Sequence, residues 1–132
     1  MDIQFENPKS MWRLFECKDG KPHTLFHGNY GSRQLPMNDY IVSEKSIVYD
    51  GSDGTKYVSG FHVVPTEEEI KAYADQFHAP RHLVMCPVDV VGRVWEKSHS
   101  RANVYLARQM CIPRKTWESM LDIPEFNRVI EE

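Results

Sequence analysis

The segment HLVMCPVDVV, residues 82–91, carries the strongest strand pattern in the chain. Apolar side chains occupy the even positions from 84 to 90, and Leu83 and Met85 supply apolar side chains on the opposite side. This pattern predicts a central strand, because both of its faces are then buried. Cys86 is expected to be a small core side chain. Pro87 has no N–H for a neighbouring strand, so we expect an edge, a bulge or a bend there.

Two turn signals precede this segment and predict antiparallel hairpins. Asp19-Gly20 follows the strand-like residues 11–17, and a second Gly/Asp-rich stretch, 50–54, precedes the strand-like residues 57–64. Glycine tolerates the positive φ that short hairpin turns need. The polar residues 1–10 are predicted to form a loose leader.

The clearest helix signal lies between the second hairpin and the central strand. Thr66 followed by Glu69 matches a capping box, and the carboxylates at 67–69 suit the positive end of a helix dipole. Apolar residues at 70, 73, 74 and 77 then form one stripe, which predicts a helix packed on the core. Pro80 is expected to end this helix.

The C-terminal third of the chain is less regular. Residues 103–112 fit a helix or a strand, and both interpretations stay open at this point. Residues 113–132 are predicted to form a helical tail, because Trp117 and Met120 fit a helical pattern and Asp122 precedes a further short apolar stripe. The whole chain, 1–132, is therefore predicted to be a single α+β domain. We expect a mostly antiparallel sheet of five or six strands, one well-capped helix packed on it and a helical C-terminus.

Composition and charge limit the classes of function. The 132 residues are 41% apolar with a net charge of −3, which suits a globular domain and excludes a disordered chain. Residues 81–115 nevertheless contain seven Lys/Arg against two Asp/Glu. This asymmetry indicates either a surface for an anionic partner or charges that are neutralised within the fold. The sequence pI of about 6.1 argues against general nucleic-acid binding.

The sequence shows no targeting or metal motif. No apolar run approaches the roughly 20 residues of a membrane helix, and the first residues do not resemble a secretory signal. The odd number of cysteines, three, is typical of reduced thiols in the cytosol. Without CxxC pairs or an HExxH motif, we expect no metal site, and the phosphate-loop and GxSxG signatures are also missing.

The basic segment supplies the predicted contact residues. Arginine and tryptophan are over-represented among the residues that dominate protein interfaces. We therefore predict a contact surface for an acidic protein partner, with Trp95 as an aromatic anchor unless it belongs to the core. Its residues are Arg93, Trp95, Lys97, Arg101 and Arg108. The same charges also fit the capture of a small nucleotide-like anion.

Two short stretches resemble ADP-ribosyltransferase domains. Leu25-Phe26-His27-Gly28 is similar to the first strand of that family, and Ser59-Gly60-Phe61-His62-Val63 before a helix is similar to its second segment. The residues themselves also allow a structural interpretation. Gly60 then marks a bend or a close approach of a neighbour, and His62 is a hydrogen-bonded structural side chain.

This resemblance implies an enzyme that uses a nicotinamide dinucleotide, NAD. His27 would contact the cofactor ribose, and Phe61 or His62 would lie near the nicotinamide. The family also has a glutamate late in the domain, for which Glu96 and Glu118 are the candidates.

A second resemblance covers residues 12–112. The order of a short strand, a Leu-Phe-x-Gly segment, Gly-Phe-His-Val, a capped helix and a Val-rich strand ending in Val-x-Gly-x-Val looks like small domains encoded by phages and prophages. It implies a small cytosolic binding protein that makes stoichiometric contact with a host protein, as inhibitors of host defence do. We therefore favour a binding protein without a cofactor over an enzyme.

Overall fold

The computed structural model describes residues 2–25, 32–43, 47–49, 56–97 and 103–131. Their elements, in chain order, are β1 (Asp2–Lys18), β2 (Lys21–His23), β3 (Tyr40–Val42), β4 (Ile47–Tyr49), β5 (Lys56–Val58), β6 (Phe61–Val63), α1 (Glu67–Ala74), β7 (Arg81–Glu96), β8 (Tyr105–Cys111), α2 (Arg114–Leu121) and β9 (Asn127–Ile130).

Seven of the strands in these described ranges form one antiparallel sheet. β7 lies at its centre, since it pairs with β1 along one edge and with β8 and β9 along the other. On its outer side β8 pairs with β3 and β6, and β2 pairs with the end of β1. β4 and β5 form a separate two-stranded hairpin. The predicted central position of residues 82–91 is confirmed.

Backbone hydrogen bonds join the two sides of this sheet at Trp12 and Val64. The N–H of each residue donates to the carbonyl of the other over 2.8 Å. Because Val64 directly follows β6, the strands β1, β7, β8 and β6 form a closed ring. Irregular pairing in β1 and at Gly92 of β7 marks two bulges, and bulges bend strands in the way such a closure needs.

The two faces of β7 belong to two separate hydrophobic cores. Its even positions from 84 to 90 pack in one core with Trp117 of α2, and Leu83 and Met85 pack in the other with Ile70 of α1. The predicted alternation is thus confirmed. Cys86 is fully buried, and burial raises the pKa of its thiol to about 12, as befits a core side chain.

Pro87 occupies a gap between two partner strands. The N–H of Met85 donates to the carbonyl of Phe126 at 2.9 Å, on the side of β9. The nitrogen of Pro87, two residues further on, faces the same edge because strand N–H groups alternate in direction. The pairing with β9 ends at Val84 and the pairing with β8 begins at Asp89, so the missing donor leaves no ladder bond unmade.

Two locally encoded features are confirmed. Asp19 and Gly20, with φ of 54° and 75°, form the two-residue turn between β1 and β2. Thr66 caps α1, where its hydroxyl oxygen accepts from the N–H of Glu69 at 3.2 Å and its hydroxyl donates to the Glu69 carboxylate at 3.0 Å. The predicted turn over residues 50–54 lies outside the described residues.

The predicted fold class is wrong in its arrangement. The described chain is mostly antiparallel sheet with only two short helices, one against each core, instead of a sheet of five or six strands with one helix and a helical C-terminus. The ambiguous residues 103–112 contain β8 and no helix.

Both ends of the chain also differ from their predictions. The predicted loose leader, residues 1–10, is wrong for the described residues 2–10, because Asp2–Phe5 pair with residues 92–95 of β7 and partly bury Ile3 and Phe5. In the described part of the predicted helical tail 113–132, which ends at residue 131, only α2 is helical, and residues 127–130 add β9 to the edge of β7. In each case a distant partner strand outweighs the local pattern, as it commonly does for strands.

Candidate functional site

Cations and aromatic rings come together where β7, β8 and the β5–β6 connection meet. The guanidinium carbons of Arg93 and Arg108 lie 4.7 and 4.9 Å from the centroid of the Trp95 ring. The Lys97 ammonium lies 4.6 Å from the ring centroid of Tyr57. These are cation–π distances. We call these five residues the basic aromatic surface.

The missing side chain of Gly60 leaves room for the indole of Trp95. A Cβ atom on Gly60 would lie 3.1 Å from the Cη2 atom of Trp95 and 3.0 Å from the Cβ of Leu106. The indole therefore lies against bare backbone, which confirms the expected close approach of a neighbour at this glycine. Trp95 is partly exposed and belongs to neither hydrophobic core.

Arg93 forms an ion pair with the carboxylate of Asp2. Its Nη2 lies 2.9 Å from Oδ2 of Asp2, and its Nε donates to the same carboxylate at 3.0 and 3.2 Å. This contact lowers the pKa of Asp2 and raises the pKa of Arg93, chiefly through the hydrogen bond. Both side chains are about half exposed, so solvent screens the pair and it contributes little to stability.

Arg108 is held more firmly than Arg93. Its Nη1 donates to the hydroxyl of Ser43 at 2.9 Å and to the carbonyl of Ser59 at 3.2 Å. These bonds tie β8 to the segments that follow β3 and β5. The side chain is partly buried, and its charge is therefore fixed in place beside Trp95 before any partner arrives.

A pocket of about 400 Å³ opens next to these two arginines. It is lined by Gln4, Val58, Gly92, Arg93, Arg108 and Gln109. Gly92 has a φ of 78°, which favours glycine, and its missing side chain keeps the space open. The side-chain nitrogen of Gln109 lies 3.1 Å from the place where a Cβ of Gly92 would lie. We call this space the Gly92 pocket.

The structure brings four of the five predicted contact residues together. Arg93, Trp95, Lys97 and Arg108 share the basic aromatic surface, and Arg101 lies outside the described residues. Tyr57 and the two glutamines of the Gly92 pocket were not predicted from the sequence. Pairing between segments that are distant in the sequence brings them here.

Two described residues of the alternative enzyme site, His62 and Glu96, lie on opposite faces of the sheet. His62 lies opposite Leu106, and Leu106 lies opposite Trp95, so His62 shares the sheet face of Trp95. Glu96 follows Trp95 directly and therefore points to the other face. The ring of His62 packs edge-on against Tyr57, with 5.8 Å between centroids. His27 lies outside the described residues.

Among the described residues, no three His, Cys, Asp or Glu side chains gather closely enough to hold a metal ion. Neither helix in the described ranges is long and apolar enough to cross a membrane. No protein-family model matches the sequence, and no curated protein or solved structure matches it either.

Proposed function

We propose that this protein is a small cytosolic binding protein that makes stoichiometric contact with the acidic surface of another protein. The contact runs through the basic aromatic surface. The observation that supports it is the grouping of three cations with two aromatic rings on one partly exposed part of the sheet. Tryptophan, tyrosine and arginine are the residue types enriched where interfaces gain most of their binding energy.

Two properties of this surface favour binding. The rings and the bonds to Ser43 and Ser59 restrict the rotamers of long cationic side chains, so less side-chain entropy is lost on association. The carboxylate of Asp2 is an exposed partner of Arg93, and a carboxylate of an incoming protein can replace it at little cost.

The resemblance to phage-encoded domains directs the search for this partner to the host cell. A host protein with an acidic contact surface, such as a component of a defence system, is the kind of partner proposed. Binding would then act by covering the partner's surface, and it requires no cofactor.

Charge reversal tests the proposal. Arg93→Glu and Lys97→Glu should each weaken the complex about tenfold or more, because each replaces an attraction to acidic groups by repulsion. A partner captured from host lysate by the unaltered protein is first identified and purified, and its Kd is then measured by calorimetry for each variant. The affinity of the unaltered protein should also fall as salt rises.

Lys115→Glu is the matched control, since Lys115 is an exposed cation on α2, away from the basic aromatic surface. It should change the Kd by no more than about twofold. Equal affinities for the unaltered protein and both surface variants, in samples with unchanged melting temperatures, would contradict the proposal.

A further inference from the structure

We infer that the Gly92 pocket binds the phosphate group of a small ligand of about mononucleotide size. This inference goes beyond the proposed function, because it assigns a small-molecule site and does not depend on a protein partner. It rests on the size of the pocket, on the groups that line it and on the charge around it.

The size of the pocket suits a small ligand. Its volume of about 400 Å³ falls within the range of roughly 300–1,000 Å³ that small-molecule sites occupy. The bulge in β7 and the positive φ of Gly92 produce it, so the opening is built into the strand. Val58 forms an apolar wall and is 40% exposed, which leaves apolar area for the part of a ligand that carries no charge.

The lining is rich in hydrogen-bond donors. The guanidinium groups of Arg93 and Arg108 and the amides of Gln4 and Gln109 all border the pocket, and no acidic residue lines it. Within the described part of the chain, no hydrogen bond joins either glutamine amide to another residue. Four donor groups around one pocket suit a ligand with several acceptor oxygens.

The charge of the pocket favours a phosphate monoester over a carboxylate. A phosphate monoester carries about −1.5 to −2 charges at neutral pH on three acceptor oxygens, whereas a carboxylate has one charge on two oxygens. The positive charge of two arginines beside two amides therefore suits a phosphate better than a carboxylate. The Asp2 carboxylate forms an ion pair with Arg93, and it would therefore compete with the phosphate for the Arg93 guanidinium.

Calorimetric titration of the full chain with three probes tests the inference. Adenosine monophosphate should bind, inorganic phosphate should bind more weakly because it lacks contact with the apolar wall, and adenosine should show no binding. Adenosine that binds as tightly as its monophosphate, or the lack of any binding by the two phosphate probes, would overturn the inference.

Two variants should move the affinity for adenosine monophosphate in opposite directions. Gln109→Glu places a carboxylate in the pocket and should weaken binding about tenfold or more. Asp2→Asn removes the competing carboxylate and should strengthen binding by about threefold. Unchanged affinity in a folded Gln109→Glu protein would also overturn the inference.

Controls separate this site from the protein contact. Arg114→Gln removes one exposed positive charge on α2 and should alter the nucleotide affinity by less than about twofold. Lys97→Glu, which does not line the pocket, should likewise retain nucleotide binding while it weakens the protein complex. Loss of nucleotide binding in Arg114→Gln to the same degree as in Gln109→Glu would contradict a specific pocket.

Discussion

The guanidinium of Arg13, on β1, is buried among apolar side chains. It is 8% exposed, its Nη1 donates to the carbonyl of His62 at 3.1 Å, and the rings of Phe15 and Phe61 lie 5.3 and 5.6 Å from its guanidinium carbon. Among the described residues no carboxylate lies within ion-pair distance of it. Burial accordingly lowers the pKa of Arg13 to about 10. The two rings and one carbonyl replace only part of the hydration that this cation loses.

We predict that Arg13→Met keeps or raises the free energy of unfolding, by up to about 2 kcal/mol. Methionine fills a similar volume, and buried charges replaced by apolar side chains of like size often leave stability unchanged or improved. Urea denaturation of both proteins at pH 7 measures the effect. A loss larger than about 2 kcal/mol would show that the bond to His62 and the ring contacts outweigh the desolvation of the charge.

Single elements differ in how far the sequence predicts them. The turn at Asp19-Gly20 and the cap of α1 at Thr66 depend on neighbours within a few residues, and both were predicted. β9 was predicted as a helix, because its strand conformation depends on residues 81–84, which lie far away in the chain. The half-buried Ile3 and Phe5 do alternate with polar residues, and this signal could have identified the start of β1.

The contact between β6 and β8 depends on the absence of a side chain at Gly60. We predict that Gly60→Ala lowers the free energy of unfolding by about 1–3 kcal/mol, because the new methyl group crowds Leu106 and Trp95 at 3.0–3.1 Å. Urea denaturation followed by tryptophan fluorescence measures the stability.

Ser59→Ala is the control for this variant, because it adds no atom at the β6–β8 contact. It should change the stability by no more than about 0.5 kcal/mol. Equal stabilities for Gly60→Ala and the unaltered protein would show that the strands separate easily at this point.

At the scale of the whole molecule, the sheet ring ties the start of the chain to the candidate site. Asp2–Phe5 pair with Gly92–Trp95, so the first residues flank both the basic aromatic surface and the Gly92 pocket. The placement of Arg93, Trp95 and Lys97 at every second residue was readable from the sequence. Arg108, Tyr57 and the glutamines arrive from other segments, and only the folded sheet defines the site they form.

Deletion of residues 2–8 tests the role of this N-terminal pairing. We predict a single unfolding transition with a stability about 2 kcal/mol or more below that of the full chain, because several ladder hydrogen bonds and the burial of Ile3 and Phe5 are lost. If these residues were a loose leader, their deletion would leave the free energy of unfolding unchanged. An unchanged unfolding midpoint in urea would therefore contradict the structure of β1.

The pairing of β1 with β7 also has a kinetic consequence. Each ladder contact joins residues more than 60 positions apart, so a growing chain cannot pair β1 with β7 until the residues of β7 have been synthesised. Until then the apolar half of β1 lacks its longest partner strand and is open to self-association or to a chaperone. We therefore expect slow folding and a tendency to aggregate during rapid expression. Both follow from the long-range pairing of β1 with β7, whose side chains contribute to both cores.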